Sequence, residues 1–168
     1  MKTIVSGLFC CAVICGPAMA QTAGGAGMSD QAFVDMAAQT DMTEANLGQL
    51  AGNQASAQGV KDLGQMLATD HTSDYSQLST IAAKANLTVP KGLDAQHQKM
   101  IAPFEKLKGK AFDRHYVQEM VAGHKKAIAA YNKEAQDGQN ADLKAYAQQT
   151  LPTLEKHETA AQALQKAK

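Results

Sequence analysis

Apolar and small residues recur along this chain at alternating intervals of three and four, the spacing that lines one face of an α-helix. From Ser29 the face runs Phe33, Ala37, Thr40, Glu44, Leu47, Ala51, Gln54, a helix of about seven turns. Ser29 is placed to cap it and Asp30 to complement its positive end. After the break Ala55-Ser56-Ala57-Gln58-Gly59 the same spacing resumes at Val60, Gly64, Leu67, His71, Asp74, Leu78, Ile81 and Ala85. The run Thr88-Val89-Pro90-Lys91-Gly92 cannot continue a helix and predicts an end near Asn86. A third segment, from about Lys110 to Gln136, carries Phe112, Tyr116, Val117, Met120, Val121, His124, Ile128 and Tyr131. Asp137-Gly138-Gln139-Asn140 then turns the chain into a fourth, Ala141 to Lys166, with Leu143, Ala147, Thr150, Leu154, His157, Ala161 and Leu164 on one face.

The stretch between the second and third segments is too long for a plain loop in a compact domain. Leu93 to Leu107 has helical content through Gln96, Met100, Ile101 and Phe104, with Pro103 expected to break or kink it. No strand-like alternation of useful length occurs. Four amphipathic segments can bury their stripes only against one another, and the two short connections make neighbours antiparallel. The predicted fold is all-α: an antiparallel four-helix bundle with a short cross-helix between helices 2 and 3. Its core is expected to be rich in Ala and Met, with Gly48, Gly52, Gly64 and Gly123 permitting close helix approach.

The first twenty residues stand apart. Lys2, an apolar run from Ile4 to Cys15, and Ala18-Met19-Ala20 read as an export signal cleaved between Ala20 and Gln21. No lipobox surrounds Cys10, Cys11 or Cys15, so no lipid anchor is expected. Residues 21–28, with Ala23-Gly24-Gly25-Ala26-Gly27, form a flexible tether, and residues 29–168 form the bundle domain. Cleavage removes Lys2, all three cysteines and no acid, leaving 148 residues of formal charge −1. Such a chain offers no thiol chemistry, and with no Trp and balanced charge it lacks the field and stacking surface that nucleic acids require. Nothing after Gln21 is apolar for long enough to span a membrane. The protein is expected in the periplasm or secreted, and the sequence names no protein partner.

Chemistry must then come from histidines and carboxylates. Glu44, His71, His124 and His157 each fall on the apolar seam of a different helix, with Asp74 one turn from His71. Counted from the end carrying the short loops, their heights differ by about 10 Å at 1.5 Å per residue, so they can share one central layer. Three imidazoles and a carboxylate are ligands for a divalent transition metal such as Zn, Cu or Fe. Asp70 and Asp74 are candidates to support them from behind. The Glu-x-x-His spacing of diiron bundles is absent. A polar layer that only fixes helix register is the competing reading, as in coiled coils. His97 falls in the connection and is expected at the surface. Asp113 reads as a first-turn carboxylate, with Arg114 and His115 beside it. Met66 and Met120 read as core filler.

Phe33 to Ala51 with Leu47-Gly48-Gln49-Leu50-Ala51, Val60 to Asp70-His71, Phe112-Asp113 through Met120-Val121 to His124, and Leu151-Pro152-Thr153-Leu154-Glu155-Lys156-His157 form an ordered series. It resembles the bacterial family called domain of unknown function 4142, over almost the whole mature chain. The resemblance implies an exported, ferritin-like helical bundle, often labelled an outer-membrane protein, with Glu44, Asp70-His71, Asp113, His124 and His157 as motif positions. It supplies no reaction. The leading reading of the sequence is therefore a cell-envelope bundle of no assignable enzymatic activity, related to stress or to binding a partner. The alternative is a periplasmic metal-binding or redox bundle built on Glu44, His71, His124 and His157.

Overall fold

A computed structural model describes residues 28–167. The predicted export signal and, Met28 excepted, the predicted tether lie outside the described residues. The described chain holds five helices and no strand: α1 (Asp30–Gln54), α2 (Gln58–Lys84), α3 (Ala95–Lys106), α4 (Gly109–Asp137) and α5 (Ala141–Lys166). The four long helices match the four periodic segments, and α3 is the expected short helix in the long connection. Pro103 lies within α3, which continues to Lys106 rather than breaking there.

Local chemistry explains the ends. Ser29 accepts a hydrogen bond from Ala32 N (3.2 Å) and Asn140 accepts from Asp142 N (2.9 Å) and Leu143 N (3.1 Å), satisfying amides that a helix leaves unpaired. At the end of α2, Asn86 adopts a left-handed conformation (φ 57°) and Leu87 N donates back to Ala82 O (2.9 Å). This is the reversal that stops a helix and that asparagine tolerates. The entry to α2 has no cap of its own. Asp113 of α4 clasps the turn just before it, accepting from Ser56 N (2.9 Å), Ala57 N (3.1 Å) and the Ser56 hydroxyl. Asp113 is thus a buried tie between α4 and the α1–α2 turn, not a carboxylate serving its own first turn.

The helices pair as the short loops demand, α2 along α1 and α5 along α4, and α1 also meets α3 and α4. At the α1–α2 crossing the backbones touch: a Cβ on Gly64 would stand 2.5 Å from Ala51 Cβ and 2.8 Å from Gly48 O. Gly52, by contrast, faces open space and mediates no approach. Two glutamines of α1 lace down the long connection. Gln31 exchanges hydrogen bonds with the Thr88 backbone (2.7 and 3.0 Å), and buried Gln39 spans Gly92 O and Asp94 N (both 3.0 Å). These bonds fix where α3 starts and so hold it across α1.

Two apolar clusters make the core. The two short loops lie at opposite ends of the bundle, not at one shared end as the height count assumes, because the long connection carries the chain back along its length before α4 begins. One cluster, at the loop end between α1 and α2 where α4 begins and α5 finishes, contains Leu47, Leu67, Phe112, Tyr116, Met120 and Ala161. The other, at the end with the α4–α5 turn, contains Phe33, Ala37, Leu78, Tyr131, Tyr146 and Leu154. The core is aromatic, leucine and alanine rather than Ala and Met: Met120 is the fully buried methionine, while Tyr116, Tyr131 and Tyr146 are among the largest buried side chains. Along every long helix the positions between the two clusters are polar, and there the seam residues lie.

Candidate metal centre

His71 of α2, His124 of α4 and His157 of α5 are each at most 1 % exposed. Their rings sit 5.2 to 5.7 Å apart, centroid to centroid, and one nitrogen from each lies within 4.8 Å of the other two. Each ring is held by a hydrogen bond at one of its nitrogens. His71 Nδ1 bonds Asp41 Oδ1 (2.8 Å), His124 Nδ1 donates to Met120 O (2.9 Å), and His157 Nε2 bonds Asp70 Oδ2 (2.9 Å). His71 Nε2, His124 Nε2 and His157 Nδ1 then have no hydrogen-bond partner, although buried. An imidazole held by one nitrogen with the other bare is the arrangement of a metal-binding histidine.

Glu44, the fourth predicted ligand, stands at the edge of this triad. Its Oε2 is 3.6 Å from His71 Nε2 and its Oε1 is 3.6 Å from His124 Nδ1. Opposite lies Gly123, where a Cβ would come within 3.1 Å of Glu44 Oε1, so the missing side chain leaves the carboxylate its room. Of the two predicted supporting residues, Asp70 orients His157 directly. Asp74 belongs to a second group, with Asp41 and His71, whose ligand atoms also fall within 4.8 Å of one another. Asp41 is the residue the sequence reading missed. It lies four positions after Ala37 and three before Glu44, on a part of α1 that a single stripe leaves out.

The electrostatics follow from burial and neighbours. Burial disfavours a proton on His71, but the Asp41 hydrogen bond and the Glu44 and Asp41 charges prevail and raise its pKa to about 9. Burial raises Glu44 to about 7, His71 pulling it down while Asp41 and Glu119 push it up. Burial, then the His71 and His157 charges, lower His124 to about 3. His157 is also lowered by burial, against its bond to Asp70. At neutral pH His71 is the imidazolium, His124 is neutral with its one proton on Nδ1, and Glu44 is near its midpoint.

The other singled-out residues separate from this layer. His115 and Arg114 are exposed. His97 is not a free surface residue: it sits on α3 with its side chain 21 % exposed, bonded through Nδ1 to Asp94 Oδ1 (2.8 Å), and it lines a cavity. Met66 packs against the apolar cluster at the α1–α2 loop.

A family model described as a domain of unknown function, DUF4142, matches residues 16–164. The chain belongs to this family. Among solved structures, the DUF4142 chain is similar to "CopM in the Cu(II)-bound form", with a TM-score of 0.70 and 15 % identity over 84 % of this chain and 99 % of that one. It is also similar to a secreted protein, DUF305, from Streptomyces coelicolor, with a TM-score of 0.61 and 14 % identity over 79 % and 90 % of the two chains. At these identities the likeness is one of fold. No curated protein matches the sequence. No helix among the described residues is long and apolar enough to cross a membrane.

The donor set fits a transition ion. Nitrogens at about 2.0–2.1 Å from a tetrahedral centre stand about 3.4 Å from one another. The triad, within 4.8 Å, would need each pair to close by at most about 1.4 Å, a distance covered by small side-chain rotations. The neutral imidazoles of His124 and His157 present lone pairs without first losing a proton.

Proposed function

We propose that this DUF4142 chain is an exported protein that binds a transition metal, copper before zinc or iron, through His71, His124 and His157, with Glu44 beside them. Of the two readings the sequence leaves open, the buried triad favours metal binding over a purely structural polar layer. In this reading residues 1–20 are the export signal, residues 21–28 a tether, and the four long helices an antiparallel, ferritin-like bundle crossed by α3. The protein works in the periplasm or outside the cell, and no enzymatic activity is assigned.

The observation that carries the reading is the triad's hydrogen bonding. A layer serving only to fix register would satisfy its own donors and acceptors, since each buried unpaired polar group costs about 1–3 kcal/mol. Here three separate anchors hold one nitrogen of each ring and leave the other without a partner, in three rings packed against one another with one nitrogen of each within 4.8 Å of the others. Asp41, Met120 O and Asp70 select the tautomers, and the two apolar clusters hold the helices at their spacing. A metal bound there would join α2, α4 and α5 and be shielded from water. Imidazole sets suit copper and zinc, and copper stands highest in the divalent affinity order. The fold shared with CopM, whose structure holds Cu(II), agrees with that choice.

The test is elemental analysis and thermal melting of the mature chain from Gln21, prepared without a histidine tag and stripped with chelator. One copper or zinc per chain and a melting temperature that climbs with metal concentration are expected, both lost in a His71→Ala, His157→Ala double variant. No bound metal and an unmoved melting temperature would refute the reading.

A further inference from the structure

Beside the triad, between α1, α3 and α4, lies a cavity of about 360 Å3. Its wall includes the thioethers Met36, Met100 and Met120, the imidazole of His97, and the carboxylates Glu44 and Glu119. Glu44 belongs to both places, lining the cavity while its two oxygens lie 3.6 Å from His71 Nε2 and His124 Nδ1. Met120 does too, its side chain in the cavity wall and its carbonyl anchoring His124. His97 is fixed through Nδ1 by Asp94, which leaves Nε2 for another partner. Thioethers are weak donors to water and to hard cations but good ligands for soft, polarizable ones, so Met100 and Met120 with the His97 imidazole discriminate by softness, while Met36 packs with the Phe33 cluster farther along the wall.

We propose that this cavity is the loading site of the centre, where a soft monovalent ion, Cu(I) or its redox-inert counterpart Ag(I), is captured by Met100, Met120 and His97 and handed past Glu44 to the histidine triad. The inference rests on the metal-binding reading and adds to it the ion's class and its route. α3 is then more than a connector: held across α1 by the Gln39 and Gln31 bonds, it brings Met100 and His97 to the mouth of the site.

The experiment is stopped-flow loading of the chelator-stripped mature protein with Ag(I), followed by displacement of a chromophoric ligand. Met100→Leu with Met120→Leu, which keep volume while removing sulfur, should slow loading at least tenfold, and Met36→Leu, toward the other end of the cavity, should not change it. Because α3 packs outside the long-helix pairs, His97→Gln with Met100→Leu tests the same point without touching α4. In a His124→Ala, His157→Ala variant, X-ray absorption should still show sulfur neighbours on bound Ag(I). Wild-type loading with unchanged rates in both Met100 variants would overturn the loading route and leave the metal centre standing. Sulfur-ligated Ag(I) that never reaches the triad would overturn the hand-over, and no Ag(I) bound by the wild type would overturn the loading site, while the copper and zinc measurements decide the centre itself.

Discussion

Replacing His124 by Leu should make the metal-free protein more stable and the metal-loaded protein less stable than wild type. His124 is 1 % exposed, its Nε2 has no partner, and burial with the His71 and His157 charges keeps it neutral. No ion pair is therefore lost on substitution, although Glu44 lies 3.6 Å from Nδ1. What is lost is the Nδ1 bond to Met120 O, worth about 0.5–1.5 kcal/mol. What is relieved is an unpaired buried nitrogen, about 1–3 kcal/mol, and a leucine of similar size fills the space with apolar contacts. The net is about 1 kcal/mol of added stability, or roughly 2–4 °C in melting temperature for a chain of this size. With metal at a hundredfold excess over its dissociation constant the wild type gains about 2.7 kcal/mol that the variant cannot. The order of the two melting curves should then reverse by about 1.7 kcal/mol. Differential scanning calorimetry in chelator and in copper reads both signs. A variant that melts below wild type in chelator and stays below by the same amount in copper would show that His124 serves packing alone.

Metal binding at pH 7 should release between one and two protons, because His71, raised to about 9, must give up its proton and Glu44, raised to about 7, is half protonated. Affinity should therefore fall as pH drops through 7, and calorimetry in buffers of different ionisation enthalpy gives the proton count; a count of zero contradicts the assignment of His71. Asp41→Ala and Asp70→Ala each remove the anchor of one imidazole and should weaken metal binding about 10- to 100-fold while leaving the helical circular dichroism unchanged. Gly64→Ala forces a methyl against Gly48 O and Ala51 Cβ and should cost about 1–3 kcal/mol in urea unfolding, whereas Gly52→Ala, facing open space, should stabilise by about 0.5–1 kcal/mol through helix propensity.

The parts of the structure governed by local rules were legible in the sequence. Ser29, Asn140 and the Thr88 to Gly92 run mark helix ends because capping and chain reversal involve residues a few positions apart. The seam positions of His71, His124 and His157 follow from period alone, since each of those helices buries one stripe. α1 breaks that assumption. It is covered by α2, α3 and α4 together, so Val34, Ala38, Asp41, Thr43 and Gly48 are buried alongside the expected stripe, and Asp41 escaped notice. The tie from Asp113 to Ser56 and Ala57, the clasp of Gln39 on Gly92 and Asp94, and the reach of Asp70 to His157 join residues more than fifty positions apart. No periodicity encodes such bonds. His97 was misplaced for the same reason, its partial burial depending on where α1 and α4 hold α3.

Charge balance gives the layer its physical sense. An isolated ion buried between two apolar clusters would be prohibitive, so charge there must be matched at each stage. Without metal, protonated His71 faces Asp41 across a 2.8 Å bond, while the rise of Glu44 to about 7 lets it hold a proton and stay neutral. A divalent ion entering the triad displaces both protons, and its two charges are met by Asp41 and ionised Glu44. A monovalent ion displaces the proton of His71 alone and leaves Glu44 protonated. In each case the buried layer exchanges positive charge for positive charge and its net charge stays near zero. A layer whose carboxylates were permanently ionised would bind metal more tightly but destabilise the empty fold, and one without them would expel the cation. The raised value of Glu44 thus places its part of the exchange near neutral pH, while His71, at about 9, keeps its proton until a metal displaces it.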